Sequence, residues 1–174
     1  MEVVEVIAPT GETPLDAKEL VLKMLEEAEE KEKACAKKLC ALIKAVGMVA
    51  KDLHYRAKGE AFYSEHLLAD LGWQVERLTD DFIEVYYMGD KGWNPPTMDT
   101  IYGDAILEVP TAVPVDETTT EFWARRLLEV CEKLVAHVEE AKAVLTSKAG
   151  TQAALDEISK QALQVSGLLK RNLK

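Results

Sequence analysis

Apolar residues recur every three or four positions along most of the chain, and this spacing predicts long amphipathic helices. The first predicted helix runs from Asp16 to about Gly59. Asp16 stands three residues before Glu19, which is the spacing of a capping box, and Gly59 is a typical residue at the end of a helix. Residues 1–15 contain two prolines and precede the helical pattern, so they are predicted to form an N-terminal arm.

Three further long helices follow by the same criterion, and a connection rich in proline and glycine separates the second from the third. That long connection has room for a short crossing helix, and it allows the second and third long helices to run parallel. Gly150 is predicted to separate the last two helices, which then form a tight antiparallel hairpin. The pattern predicts an all-α, ferritin-like four-helix bundle over residues 16–174. The predicted ranges are Glu60 to Met88, Thr119 to Lys148 and Thr151 to Leu173 for the long helices, and Thr100 to Glu108 for the short one.

The charge of the chain argues against a nucleic-acid partner, and its apolar pattern argues against a membrane. The 174 residues include 31 acids and 21 bases, a net charge of -10, whereas affinity for nucleic acid comes largely from clustered lysine and arginine. The basic residues near the C-terminus are expected to stabilise the end of the last helix instead of binding DNA. The chain has neither an apolar run long enough to cross a membrane nor a basic start followed by one. We therefore expect a soluble, cytoplasmic protein with no DNA or membrane partner.

The three cysteines are Cys35, Cys40 and Cys131, an odd number that lacks the spacing of a zinc finger. They fall among alanine and leucine on predicted helices, and we expect buried free thiols in a reducing compartment. Cys35 and Cys40 are five residues apart, which places them about 140° apart around a helix. They are therefore not expected to act as a pair of ligands.

Two of the three histidines, His54 and His66, lie twelve residues apart, and Asp70 follows His66 by one helical turn on the same face. Imidazole together with carboxylate suits iron, manganese or zinc. Asp81 lies fifteen residues beyond His66, or about 22 Å farther along a straight helix. His66 and Asp81 can therefore hold one ion only if they come from two copies of the chain, which predicts a homo-oligomer.

The segment His-Tyr-Arg-Ala-Lys-Gly-Glu-Ala-Phe, residues 54–62, together with His66 and Asp70, resembles the signature of the Dps mini-ferritins. The histidines, an aromatic residue, glycine, phenylalanine and aspartate occur in the same register. The resemblance implies a ferroxidase that oxidises Fe(II), preferentially with hydrogen peroxide, and stores ferric mineral in a hollow shell of twelve subunits, protecting against oxidative stress. It also implies a site between subunits, formed by His54, His66 and Asp70 of one chain and Asp81 of its mate.

The sequence departs from the family pattern where a glutamate is expected four residues after Asp81, because Val85 occupies that position. Three alternatives stay open. Glu84 supplies the carboxylate from the adjacent position, or Asp80 and Glu84 form the pair after a shift of one residue, or the site is incomplete and binds one metal. The tryptophan and asparagine that follow the first histidine in the family are replaced by Tyr55 and Arg56. The N-terminal arm also lacks the basic residues with which some members bind DNA.

A second hypothesis is a ferritin-like bundle that has lost turnover and serves as a structural interaction protein, with one zinc ion or none. Val85 is the feature that favours it. Zinc or manganese is also expected as a substitute for iron at the mini-ferritin site. The Glu-x-x-His motif of other di-iron bundles is absent, and His137 is expected to be a core or solvated histidine, not a ligand.

Overall fold

The computed structural model describes residues 17–57, 62–109, 119–146 and 148–173, and the regular structure within these ranges is entirely helical. The predicted all-α fold is confirmed. The predicted N-terminal arm, the capping residue Asp16 and the helix stop at Gly59 lie outside the described residues. The elements are α1 (Ala17–Arg56), α2 (Phe62–Phe82), a π-helical segment (Ile83–Lys91), α3 (Met98–Glu108), α4 (Thr120–Val144) and α5 (Ala149–Asn172).

The four long helices form a bundle in which α1 contacts both α2 and α4, and α5 contacts the same two helices. A depression of about 480 Å³ at one end of the bundle is lined by Leu53 of α1, Glu65 of α2, Thr120 of α4 and Leu169 of α5. The ends of α1 and α5 therefore meet the beginnings of α2 and α4. It follows that α2 and α4 run parallel, as the long connection predicts, while α3 packs across α1.

The core lies between the four long helices, and the second half of α1 supplies about a third of its side chains. The three cysteines are buried free thiols, as predicted. Burial raises the pKa of Cys40 and of Cys131 to about 12, so both thiols stay protonated at neutral pH. No helix in the described part of the chain combines the length and the apolar character needed to cross a membrane. The largest fully buried side chains are Leu39, Leu42, Ile43, Leu53, Phe82, Tyr86, Ile101, Leu127, Leu134, Leu155, Ile158 and Leu169.

The second predicted helix differs from the structure in its last part. Its α-helical portion ends at Phe82, and the chain continues as a π-helix to Lys91. The next residue, Gly92, has a left-handed φ of 64°. The wider i to i+5 turn of the π-helix accompanies the burial of two adjacent aromatic side chains, Tyr86 and Tyr87. Apolar spacing does not distinguish the two kinds of helix over so short a segment, so the sequence pattern predicted a single α-helix.

The prediction that Gly150 separates the last two helices is wrong, because Gly150 is the second residue of α5. The connection lies at residues 145–148. Asp90 of the π-helical segment holds the beginning of α5, because it accepts a hydrogen bond from the backbone N–H of Lys148 at 2.9 Å and another from the hydroxyl of Thr151. A Cβ at Gly150 would lie 3.2 Å from Val85. The glycine thus permits the close approach of α5 to the π-helical segment.

A buried carboxylate ties the far end of the bundle together. Glu32 of α1 accepts hydrogen bonds from the backbone N–H of Thr146 at 2.7 Å and from its hydroxyl at 2.8 Å, and lies 2.6 Å from Nζ of Lys91. Burial alone would raise the pKa of the Glu32 carboxyl, but the hydrogen bonds from Lys91 and Thr146 outweigh it and lower the pKa below its usual value. Glu32 therefore stays ionised at neutral pH. It links α1 to the π-helical segment through Lys91 and to the connection between α4 and α5 through Thr146.

The antiparallel helices α1 and α2 pack closely against each other at two glycines. A Cβ at Gly47 would lie 2.6 Å from Cβ of Glu76, and a Cβ at Gly72 would lie 2.9 Å from Cβ of Ala50. Glu76 uses the space beside Gly47 to reach Nζ of Lys44 at 2.7 Å, in an ion pair that is buried on both sides. The two glycines therefore determine the distance between α1 and α2 and the position of one helix along the axis of the other.

Gly47→Ala should lower the free energy of unfolding by about 1–3 kcal/mol, because the added methyl group overlaps the Glu76 side chain. Gly167→Ala is the matched control, since a Cβ at Gly167 of α5 meets nothing within 4 Å. The control should raise stability by about 0.5–1 kcal/mol through the better helix propensity of alanine. Urea unfolding followed by circular dichroism measures both, and equal effects of the two variants would contradict the close packing at Gly47.

Candidate metal site

The packing of α1 on α2 brings together the three residues that the sequence predicted as metal ligands from one chain. His54 lies in the last turn of α1, and His66 and Asp70 lie in the first turns of α2. Nδ1 of His54 lies 3.1 Å from Oδ1 of Asp70, and the ring centroids of His54 and His66 are 3.7 Å apart. One donor atom from each of the three residues lies within 4.8 Å of the other two.

The donor atoms are close enough for one ion after a small movement of the side chains. Atoms bound to a metal at about 2.1 Å lie at most about 4.2 Å apart. Among the described residues, no other set of three histidine, cysteine or acidic side chains brings its donor atoms this close together. Two imidazoles and one carboxylate suit Fe(II), Mn(II) or Zn(II), and three protein ligands leave further coordination positions open. The residues present therefore fit a divalent transition metal.

His54, His66 and Asp70 lie at the same height along the helix axes because of the contacts that align α1 with α2. Gly47 faces Glu76, Ala50 faces Gly72, and His54 faces Asp70, so each step toward the end of α1 is matched by a similar step toward the beginning of α2. His66 lies one turn before Asp70 on the same face of α2. The site is thus an extension of the close α1–α2 packing.

The site opens toward the surface of the chain and is bordered by aromatic side chains. The side chains of His54 and Asp70 are 24% and 43% exposed. The exposed Trp73 stands edge-on to His54 with ring centroids 6.4 Å apart, and Nζ of Lys51 lies 5.1 Å from the Trp73 ring. A shallow depression of about 210 Å³ lies beside Asp70 and Trp73. A partly exposed site of this kind is accessible to groups from a second copy of the chain.

Sequence reasoning did not single out Gln74 and Arg77, two of the residues that border this depression, nor Lys51 beside it. Gln74 and Arg77 line it together with Asp70, and Lys51 contacts Trp73 from α1. Their spacing in the sequence could have identified them. Gln74 and Arg77 follow Asp70 by one and two helical turns, and Lys51 precedes His54 by one turn. Residues on these faces are neighbours of the ligands.

The remaining predicted ligands, Asp80, Asp81 and Glu84, do not join the three residues within one chain. All three are exposed and lie farther along α2 and the π-helical segment. Asp81 is fifteen residues from His66, or about 22 Å along the helix. Val85 is half-buried and faces Gly150 of α5, so its position does not present a ligand at this surface. The choice among the carboxylates stays a prediction.

His137 lies apart from the site and is buried in α4. Its Nε2 lies 3.0 Å from the carbonyl oxygen of Cys35, and its Nδ1 lies 2.9 Å from Oε2 of Glu140. Both ring nitrogens are thus engaged by oxygen atoms. This placement agrees with the expectation of a core histidine.

No protein-family model matches the chain, and comparison with curated proteins gives no significant match. The likeness to the Dps mini-ferritins therefore rests on the residues of the signature. The structural observation that bears on function is the geometry of His54, His66 and Asp70.

Asp70→Asn should weaken the binding of Co(II), used as a probe that is stable in air, by at least about tenfold, because it replaces a negatively charged carboxylate by a neutral amide, which is a weaker donor. Isothermal titration calorimetry measures the change. Asp99→Asn is the matched control, since Asp99 is exposed at the beginning of α3. Equal affinity of the Asp70 variant and the control would contradict the assignment.

Proposed function

We propose that this protein is a ferroxidase that binds Fe(II) with His54, His66 and Asp70, oxidises it with hydrogen peroxide, and retains the ferric product. The observation that carries the proposal is the meeting of two imidazoles and one carboxylate with donor atoms within 4.8 Å of one another. The matching signature over residues 54–70 supports the same reaction. By that resemblance the working form is a hollow homo-oligomer of twelve subunits.

The residues have separate chemical roles. The two imidazole nitrogens bind Fe(II), while the Asp70 carboxylate offsets the extra positive charge of Fe(III) and so favours the loss of an electron. One hydrogen peroxide molecule accepts one electron from each of two Fe(II) ions and two protons, which yields two Fe(III) ions and two water molecules. Coordination positions left open by the protein are where the oxidant has access.

A second copy of the chain supplies the remaining carboxylates in this proposal. Asp81, with Glu84 or with the Asp80 and Glu84 pair as the alternative, is exposed on α2 and the adjoining π-helical segment and is free to meet the site of a mate. Two α2 helices packed antiparallel bring Asp81 of each chain toward His66 of the other. A site shared in this way explains why one chain holds only three of the ligands.

The net charge of -10 supports iron storage more than DNA compaction. A negative surface raises the local concentration of cations, and carboxylates provide nucleation points for a ferric mineral. Fe(II) as substrate and three free thiols both fit a reducing cytoplasm. We therefore assign no DNA or membrane partner to this function.

The second candidate is a catalytically impaired bundle that holds a structural zinc ion or none. The half-buried Val85 favours it, because the position that would supply the last carboxylate in the mini-ferritins faces α5. In this case the metal stabilises the end of the α1–α2 hairpin. Loss of the metal then affects folding instead of turnover.

The test of the proposed function is oxidation of iron by the purified protein. The protein is loaded with Fe(II) without oxygen, half an equivalent of hydrogen peroxide is added, and ferric absorbance and protein-bound iron are followed. The wild-type chain should oxidise iron faster than buffer and keep it in solution. Replacing both His54 and His66 with Ala should remove this activity, whereas Asp99→Asn should retain it.

Two results separate the candidates. Oxidation by the wild-type chain at the rate of buffer, with precipitated iron, would overturn the ferroxidase proposal. A large drop in the melting temperature of the double histidine variant, matched by addition of a chelator to the wild type, would instead identify a structural metal.

A further inference from the structure

The first part of α1 extends beyond the bundle. Every residue from 17 to 31, here called the overhang, is exposed, and the first buried residue of α1 is Glu32. Fifteen residues of α-helix are about 22 Å long. The overhang carries five large apolar side chains that are 49% to 62% exposed: Leu20, Val21, Leu22, Met24 and Leu25.

Most of these side chains form a stripe that continues the core-facing side of α1. At 100° per residue, Leu20, Val21, Met24 and Leu25 fall within an arc of about 140°. The same arc contains Cys35, Leu39 and Leu42, which the core buries. Single exposed apolar residues are ordinary, whereas a continuous stripe marks an interaction surface. The face that packs α1 into the bundle therefore continues uncovered for four more turns.

The charges on the overhang are divided between its two halves. The first half contains Lys18, Glu19 and Lys23, a net charge of +1, whereas the second half contains four glutamates, at positions 26, 27, 29 and 30, and Lys31, a net charge of -3. In an antiparallel pair of overhangs the lysines of each chain lie along the glutamates of the other. A parallel pair would place the four glutamates against each other. The net charges of the two halves are thus complementary in the antiparallel arrangement alone.

We propose that the overhang is an interface for a second copy of this chain, with the two helices antiparallel and their midpoint near Lys23 and Met24. Leu20, Val21, Met24 and Leu25 of each copy cover the stripe of the other. The interface goes beyond the proposed iron site, because Met24 is thirty residues, or about 45 Å of helix, from His54. It is therefore a second contact between chains, separate from the one along α2.

The N-terminal arm of the same chain is a less suitable occupant. Residues 1–16 contain four acids and no lysine, arginine or histidine. Such a segment would be repelled by the four glutamates of the overhang. A second copy supplies both an apolar stripe and two lysines, Lys18 and Lys23, which lie along the glutamates in the antiparallel pair.

The test measures distances between copies with spin labels on the side of the overhang that faces away from the stripe. Cysteine is introduced at Lys23 or at Glu30 in separate full-length proteins, and the wild-type chain is the labelling control because its three cysteines are buried. In the antiparallel pair the two labels at position 30 lie about 20 Å farther apart along the helix axis than the labels at position 23. Electron paramagnetic resonance should therefore give a short distance for position 23 and a longer one for position 30.

Introducing Leu20→Glu with Met24→Glu should abolish both distances, because it places charge in the stripe. The exposure of both side chains predicts that the bundle keeps its helical circular dichroism. Equal distances at the two positions would indicate a parallel pair, and absence of any distance between copies would indicate that the arm or another protein covers the stripe. Either result would overturn the proposal, as would distances that survive the Leu20 and Met24 substitutions.

Discussion

The close packing of α1 on α2 is the contact on which the site depends. Gly47 and Gly72 remove the side chains that would hold the helices apart, and the buried pair of Lys44 and Glu76 fixes their level. Burial alone would raise the pKa of the Glu76 carboxyl, but hydrogen bonds from Lys44 and Lys51 lower it below its usual value, so the pair is ionic at neutral pH. A slip of one turn in this packing would separate the donor atoms of α1 from those of α2 by about 5 Å.

Much of the fold and part of the site could be predicted from the sequence, because they depend on local spacing. Apolar periodicity gives the four long helices, and the short segment from His54 to Asp70 places its donors at adjoining helix ends. The π-helix, the beginning of α5 before Gly150 and the partner of Glu76 depend on contacts between distant parts of the chain. Periodicity also identifies the apolar stripe of α1, but it does not indicate which part of the stripe the bundle covers. The structure was needed to show that residues 17–31 are exposed.

Both proposals describe a chain that is completed by other copies of itself. In the first proposal, the half-buried His54, His66 and Asp70 lack carboxylates that the surface of α2 presents elsewhere. In the second, the stripe on the overhang lacks a cover that the same stripe on a second chain provides. The two contacts lie at opposite ends of α1. An assembly that uses both would join chains in two directions, which is a requirement for a closed shell.

Binding of iron between α1 and α2 is tested by anomalous diffraction at the iron edge from crystals soaked with Fe(II) in the absence of oxygen. The account predicts an iron peak about 2.1 Å from a nitrogen of His54, a nitrogen of His66 and an oxygen of Asp70. The same map would identify which carboxylate of a neighbouring chain completes the site. Iron bound only at other surface acids, with none between His54 and Asp70, would contradict the account.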